Sequence, residues 1–230
     1  MSVDPIAKWA NLYEEIVSCR RCPRLAAWRE QVAREKRRAY LKYDYWGKPL
    51  PGFGDPQARL LIIGLAPAAH GANRTGRMFS GDSSGRTLIP ALHRAGYANQ
   101  PGSDHRNDGL RLKDAFLTAV VRCAPPKNRP TGEEQTNCLP FLARELNLLP
   151  SVRVVLALGK IAFDGYRRLL RQRQADVSGM AFSHGACYTL QSPLLALVAS
   201  YHPSRQNTIT GRLTDAMLDR VFEQVAALMT

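Results

Sequence analysis

Long apolar runs are missing from this sequence. The most extended, VVLAL and LLALVA, have the length of core strands, so no membrane-crossing helix is expected. An export signal is missing as well. The first residues, MSVDPIAKWANLYEEIV, carry acids and a helical period where a basic end and an apolar block would stand. An intracellular, cytoplasmic protein is therefore expected. Acids are scarce, 19 Asp and Glu against 32 Lys and Arg, and the net charge of +13 points to a polyanion, either nucleic acid or an anionic membrane surface. Cysteines number only five, and a reducing compartment favours metal binding over disulfides. Internal repeats and low-complexity segments are lacking. At 230 residues the chain has room for one sizeable α/β domain, so 1–230 is read as a single domain with a basic, cysteine-bearing segment at about 15–50.

What is present is a set of four short apolar runs: RLLIIG (59–64), AFLTAVVR (115–122), VRVVLALG (152–159) and LALVASYHP (195–203). Helical periods lie at 84–95, 133–148, 160–173 and 212–228. Ahead of them, residues 4–17 read as a helix that Asp4 can cap, with Pro5 in its first turn. A second helix, at 24–39, is strongly basic; from Arg20 to Lys48 ten Lys and Arg face three acids. WGKPLPGFGDP (46–56) reads as a turn-rich connection. Apolar runs alternating with helices predict an α/β fold with a central, mainly parallel four-stranded sheet and helices on both faces. In such a sheet the loops at the carboxyl ends of the strands converge to make the site. Those loops are APAAHGANRTGR, CAPPKNRPT, GKIAF and HPSRQNT.

Cys19 and Cys22 form a C-x-x-C, and Cys123 and Cys138 follow a hundred residues later. A single turn between paired cysteines brings two thiolates to one metal, and four thiolates suit a structural zinc or an iron–sulfur cluster. The second pair is separated by fourteen residues that include PPKNRP, which is unlike a zinc ribbon and favours a 4Fe–4S cluster. Such a cluster would pin the N-terminal segment and the 123–138 loop to the sheet, a structural task that needs no redox chemistry. Cys187 reads as unligated.

Three stretches together resemble the uracil-DNA glycosylase superfamily, and within it family 5, the type B, iron–sulfur-containing enzymes of bacteria and archaea. They are GLAPAAHGANRTGRMFSGDSSG (64–85), VVRCAPPKNRPT (120–131) and HPSRQNT (202–208). The four cysteines, at their spacing, are similar to the cluster ligands of families 4 and 5. The resemblance runs from about Cys19 to the C-terminus. It implies a three-layer α/β/α sandwich and an enzyme that flips a deaminated base out of DNA and hydrolyses its N-glycosidic bond, leaving an abasic site.

By that resemblance Phe79 stacks on the flipped base and His202 lies against it, favouring the charge that develops on the leaving group. Pro203 stiffens the strand end that carries His202. Many superfamily members have an acid at the second or third position of the first motif; here those positions are Leu65 and Ala66, as in family 5. Asp82 is the nearest replacement, to orient water or steady positive charge on the sugar; its spacing fits equally well a helix N-cap for 83–95. Ala119 stands where family 4 carries an asparagine that reads uracil, so looser recognition is implied, with hypoxanthine and xanthine as further bases. The small residues after Gly64, among them Ala66 and Ala68, let backbone amides approach the ligand. Gly64, Leu65, Ala66, Ala68, Asn73 and Asn207 are thus expected to contact substrate. Arg74 and Arg77 suit flanking phosphates, and Arg205 and Gln206 are placed to fill the hole left by the base.

Two other readings compete. GDSSG (81–85) formally fits the nucleophile motif of serine hydrolases, but the residues before it are loop-like where a strand is required. A nucleic-acid-binding module with an architectural metal fits the charge and the cysteines, and leaves the pairing of Phe79 and Asp82 with His202 unexplained. A monomer is expected. The cluster has an inexpensive check. The purified protein should be brown, with broad absorbance at the blue end of the spectrum; colourless protein prepared without oxygen would favour zinc or empty thiols.

Overall fold

A computed structural model describes residues 4–191 and 194–229. The sheet has six strands: β1 (Phe53–Gly54), β2 (Leu60–Gly64), β3 (Ala115–Ala119), β4 (Val154–Leu158), β5 (Cys187–Gln191) and β6 (Leu194–Ser200). Their order is β1-β3-β2-β4-β6-β5. The four expected strands are its centre and are all parallel, whereas β1 and β5 are antiparallel additions at the two edges. Neither edge strand was legible. β1 is two residues inside the turn-rich connection, and β5 alternates exposed Cys187 and Thr189 with half-buried Tyr188 and buried Leu190, with no apolar run to mark it.

Helices α1 (Pro5–Val17), α2 (Pro23–Glu35), α3 (Ala72–Thr75), α4 (Ser83–Arg94), α5 (Gly132–Asn147), α6 (Lys160–Gln172), α7 (Arg205–Ile209) and α8 (Asp215–Ala227) complete the chain. The expected second helix ends early: α2 stops at Glu35 and a separate 3-10 turn covers Arg38–Tyr40. Side chains alternate across β2 as the pleat demands. Leu60 and Ile62 join the core beneath α4 and α8, and Leu61 and Ile63 join the core beneath α5 and α6. All four are fully buried, each worth about 1.5–3 kcal/mol in apolar burial. This double burial makes a parallel strand read as one unbroken apolar run, and the three layers follow from it. α1 packs outside, its Leu12 and Ile16 against Phe141 of α5. No helix among the described residues is long and apolar enough to cross a membrane.

One ion pair sits wholly inside. Arg122, just past β3, and Glu145 of α5 are each 1% exposed and lie 2.6 Å apart. Glu145 also accepts from the Thr118 hydroxyl at 2.6 Å and the Gly52 amide at 3.0 Å, so it joins β3, α5 and the approach to β1. Removing one partner strands the other charge in the core. Glu145→Ala should therefore cost about 3–5 kcal/mol in urea unfolding; a loss under about 1 kcal/mol would mean that water reaches Arg122.

Candidate active site

The strand order locates the crevice. β2 comes first in the central sheet, β3 pairs on one side of it, and the chain then crosses to place β4 on the other. Loops leaving β2 and β4 thus diverge, and a ligand fits above the carboxyl ends of the two strands. A cavity of about 860 Å³ lined by Leu149, Leu170 and Tyr188 opens at the other ends of the strands, so volume alone points away from the crevice.

Phe79 sits over the end of β2. A Cβ added at Gly64 would lie 2.7 Å from the Phe79 ring, so only glycine admits the aromatic there. Phe79 itself has φ 52, an uncommon left-handed conformation for a side chain of this size. Its ring is stacked toward His202, with centroids 6.3 Å apart and planes at 27°. His202 follows β6, and burial lowers its pKa to about 4, so the imidazole is neutral at neutral pH. Beside this ring pair runs the loop after β2. Among the described residues, the backbone N–H groups of Ala66, Ala68 and Ala69 have no protein acceptor.

Asp82 meets the capping reading of its spacing. It is the N-cap of α4, its Oδ1 accepting the Gly85 amide at 2.9 Å. Its Oδ2 faces the loop after β2, where a Cβ at Gly71 would come within 2.3 Å of it. Burial raises its pKa, against the opposing pull of the Gly85 and Ser84 amides and of Arg86 and Arg74. One oxygen caps the helix and the other is turned to the crevice loop. Ser83 opens α4 directly after this cap, with no strand ahead of it, and the hydrolase reading falls.

Several residues of the motifs are committed elsewhere. Asn73 is fully buried and donates to the carbonyls of Arg29 and Ala69, tying α3 to α2, so its amide is not presented to a substrate. Arg74, 8% exposed, donates to the His70 and Gly81 carbonyls and lies under the rings of Tyr40 and Tyr43. Arg77 is 4% exposed and grips Asp108 with Nη1 and Nη2. The expectation that Arg74 and Arg77 meet phosphates is thus corrected: both guanidiniums are buried internal fasteners. Asn207 donates to the His202 carbonyl at 2.8 Å, which makes it a brace for the histidine. Leu65, Ala66 and Ala68 lie in the loop after β2, and Arg205 and Gln206 are exposed on α7, which begins within the HPSRQNT stretch.

The cysteines converge from three segments. Cys123 and Cys138 are buried in one core cluster, with Cys22 packed against it. Electrostatic influence from neighbouring cysteines reaches both, Cys123 from Cys138 and Cys19, Cys138 from Cys22 and Cys19. Burial pushes the Cys123 thiol up to about 12 and Cys138 to about 11. Arg29 donates to Cys123 Sγ at 2.9 Å, and Asn137 to Cys22 Sγ at 3.6 Å. Among the described residues no three such side chains are placed closely enough to share a metal ion as they stand. The donor set nevertheless fits a cluster. Four thiols are brought to neighbouring parts of the core, and N–H donors aimed at two of them are the support that a metal-bound thiolate takes.

What the sequence concealed is the part played by residues 40–47. Tyr45 Oη lies 3.1 Å from His70 Nδ1, and the amides of Trp46 and Gly47 donate to the carbonyls of Arg74 and Asn73. The basic segment is thereby clamped onto the loop after β2. No local pattern signals it, because each contact joins residues far apart in the chain.

A family model, the Uracil DNA glycosylase superfamily, matches residues 51–226. The chain is 52% identical over 215 residues to a "Type-5 uracil-DNA glycosylase" of Thermus thermophilus, covering 94% of this chain and 95% of that protein. It is 51% identical over 222 residues to a protein of the same name from Mycobacterium leprae, with 95% and 94% covered. A "Type-4 uracil-DNA glycosylase" of Pyrobaculum aerophilum is 30% identical over 197 residues, with 84% and 82% covered.

The Arg77–Asp108 pair yields a pH prediction. Burial alone would raise the Asp108 pKa, but the bidentate Arg77 and the amides of Leu110, His105 and Asp104 hold it well below the usual carboxylate range. A depressed folded-state pKa contributes stability above the unfolded value, near 4, that is lost as pH falls through and below it. Urea midpoints should drop between about pH 5 and 3, and Asp108→Asn should start lower at pH 7 and fall less steeply. Equal slopes in both proteins would show the pair to be uncoupled from acid unfolding.

Proposed function

The chain belongs to the uracil DNA glycosylase superfamily, and on that premise we propose that it excises uracil from DNA by hydrolysing the N-glycosidic bond. The products are free uracil and an abasic site. One observation carries this reading: a neutral imidazole and an aromatic ring, His202 and Phe79, stand together at the crevice beside a loop of unpaired backbone amides. A flipped uracil stacks on Phe79 with its polar edge turned to His202 and the amides. As the bond from N1 to the sugar breaks, negative charge spreads onto the uracil oxygens. A neutral imidazole donates one hydrogen bond to that charge without having to give up a proton, and in a dry site such a donor is worth most. The sugar becomes positive as the base leaves. The Asp82 carboxylate balances that charge or holds the attacking water, using the oxygen that the helix cap leaves over.

Base preference is proposed to be broad. Ala119 ends β3 with no amide to read uracil's edge, and backbone N–H groups accept any base that offers a carbonyl oxygen, hypoxanthine and xanthine included. The DNA is held by exposed Arg34, Arg37, Arg38, Lys42 and Lys48 of the basic segment, and by Arg205 and Gln206 beside the vacated base position. The four cysteines would hold a 4Fe–4S cluster that cross-links this segment to the 123–138 loop. The chain supplies every residue of this site by itself, and we propose a monomer acting in the cytoplasm at the nucleoid.

The test is cleavage of end-labelled duplexes carrying one uracil or one hypoxanthine, under single turnover, with alkali to break abasic sites. His202→Ala and Asp82→Asn should each slow excision by about 10²–10³-fold, the range for removing a preorganised electrostatic group. Wild-type rate should rise with pH along a limb set above the ordinary carboxylate range, because Asp82 must ionise, and Asp82→Asn should lack that limb. Full activity of Asp82→Asn would leave the residue as a helix cap only. Binding without cleavage of either lesion by iron-replete protein would favour a binding module.

A further inference from the structure

His202 makes no side-chain hydrogen bond to protein among the described residues, so its aim rests on the backbone that carries it. Four hydrogen bonds, besides that of the Ser200 hydroxyl to the Tyr201 carbonyl, hold that backbone. The Gly159 amide donates to the Ser200 carbonyl at 2.8 Å, and the Ser204 amide and the Asn207 side chain donate to the His202 carbonyl at 2.7 and 2.8 Å. The fourth is of a different kind. The Tyr201 amide, the last before His202, donates to Nδ1 of His184 at 3.2 Å.

We propose that His184 is a positioning residue for base excision, its imidazole fixing the strand end that aims His202. The geometry supports this in three ways. The His184 ring stacks on the Tyr201 ring, with centroids 5.0 Å apart and planes at 17°, so the acceptor cannot swing away from the amide. Its own backbone is anchored, since Gly185 donates to the Ala199 carbonyl at 2.8 Å and Ala199 donates to Ala186 at 2.9 Å. The Ser200 hydroxyl, 3.4 Å from Nδ1, gives its proton to the Tyr201 carbonyl, which leaves Nδ1 to the amide. An accepting Nδ1 places the ring proton on Nε2. Burial, helped by the charge of Arg220, lowers the His184 pKa, consistent with a ring that stays neutral and accepting.

Without that acceptor the Tyr201 amide must find water or move, and small displacements of a catalytic donor are costly in rate. The inference rests on the reading of His202 as the group facing the base. Single-turnover uracil excision and binding to a duplex carrying a non-cleavable tetrahydrofuran abasic analogue separate the possibilities. His184→Ala should slow excision about 10- to 100-fold while duplex Kd changes less than about twofold. Asparagine places an oxygen as many bonds from Cβ as Nδ1, so His184→Asn should recover to within about threefold of wild type. His184→Gln, whose acceptor is one bond further out, should remain slow. Wild-type excision by His184→Ala with an inactive His202→Ala would overturn the inference, as would equal rates for the Asn and Gln variants. Full activity of His202→Ala would instead overturn the reading beneath it. If His184→Ala does not fold, the Asn and Gln pair decides.

Discussion

β2 has to be paired on both edges by strands that come later in the chain, β3 on one side and β4 on the other, and this forces the winding to reverse above Gly64. That reversal opens a gap between the neighbouring loops that leave β2 and β4. The gap then constrains its occupants. Gly64 has to lack a side chain for Phe79 to lie across the strand end, and Gly71 has to lack one for Asp82 to lie against the loop. The aromatic and the carboxylate come from one stretch, the residues before α4, and the histidine from another, the end of β6. They share one crevice because the four central strands are parallel and their carboxyl ends face the same way.

Burial is the second organising influence, and it moves two groups of the crevice in opposite directions on the pKa scale. His202 is driven down and Asp82 up, both away from charge. For a proposed reaction that creates a negative base and a positive sugar, this is a useful starting point. Under that proposal the imidazole acts as a neutral donor, and the Asp82 carboxylate, once ionised, balances the developing cation. A site wetter than this would leave both groups nearer their ordinary values and would weaken each interaction through the higher local dielectric.

The loops around the crevice are held by arginines turned inward. Arg77 holds Asp108, Arg122 holds Glu145, Arg74 fastens the loop after β2, and Arg29 reaches both the Cys19 carbonyl and the Cys123 sulfur. A chain with this excess of basic residues spends part of it on internal bracing. The net charge therefore overstates what is offered to DNA. The exposed part is spread over many segments, and five of its side chains, Arg34, Arg37, Arg38, Lys42 and Lys48, lie in the segment that Tyr45, Trp46 and Gly47 fasten to the loop after β2.

The sequence by itself determined the four central strands, because strands buried on both faces must be written as apolar runs, and it determined the approximate extents of α1, α4, α5, α6 and α8, because a one-sided helix must repeat its apolar residues. It also marked Gly64, Phe79, Asp82 and His202 as residues to watch, through motifs that survive as short contiguous strings. It left the two edge strands unmarked, since a half-exposed strand needs no apolar run. It could not tell that Arg77 points into the protein and Arg205 out, because an arginine reads the same whether it meets a phosphate or a buried carboxylate. Only the tertiary structure decided those directions, and only it brought His184 to the Tyr201 amide. Such contacts depend on where distant segments cross, and a linear pattern holds no record of a crossing.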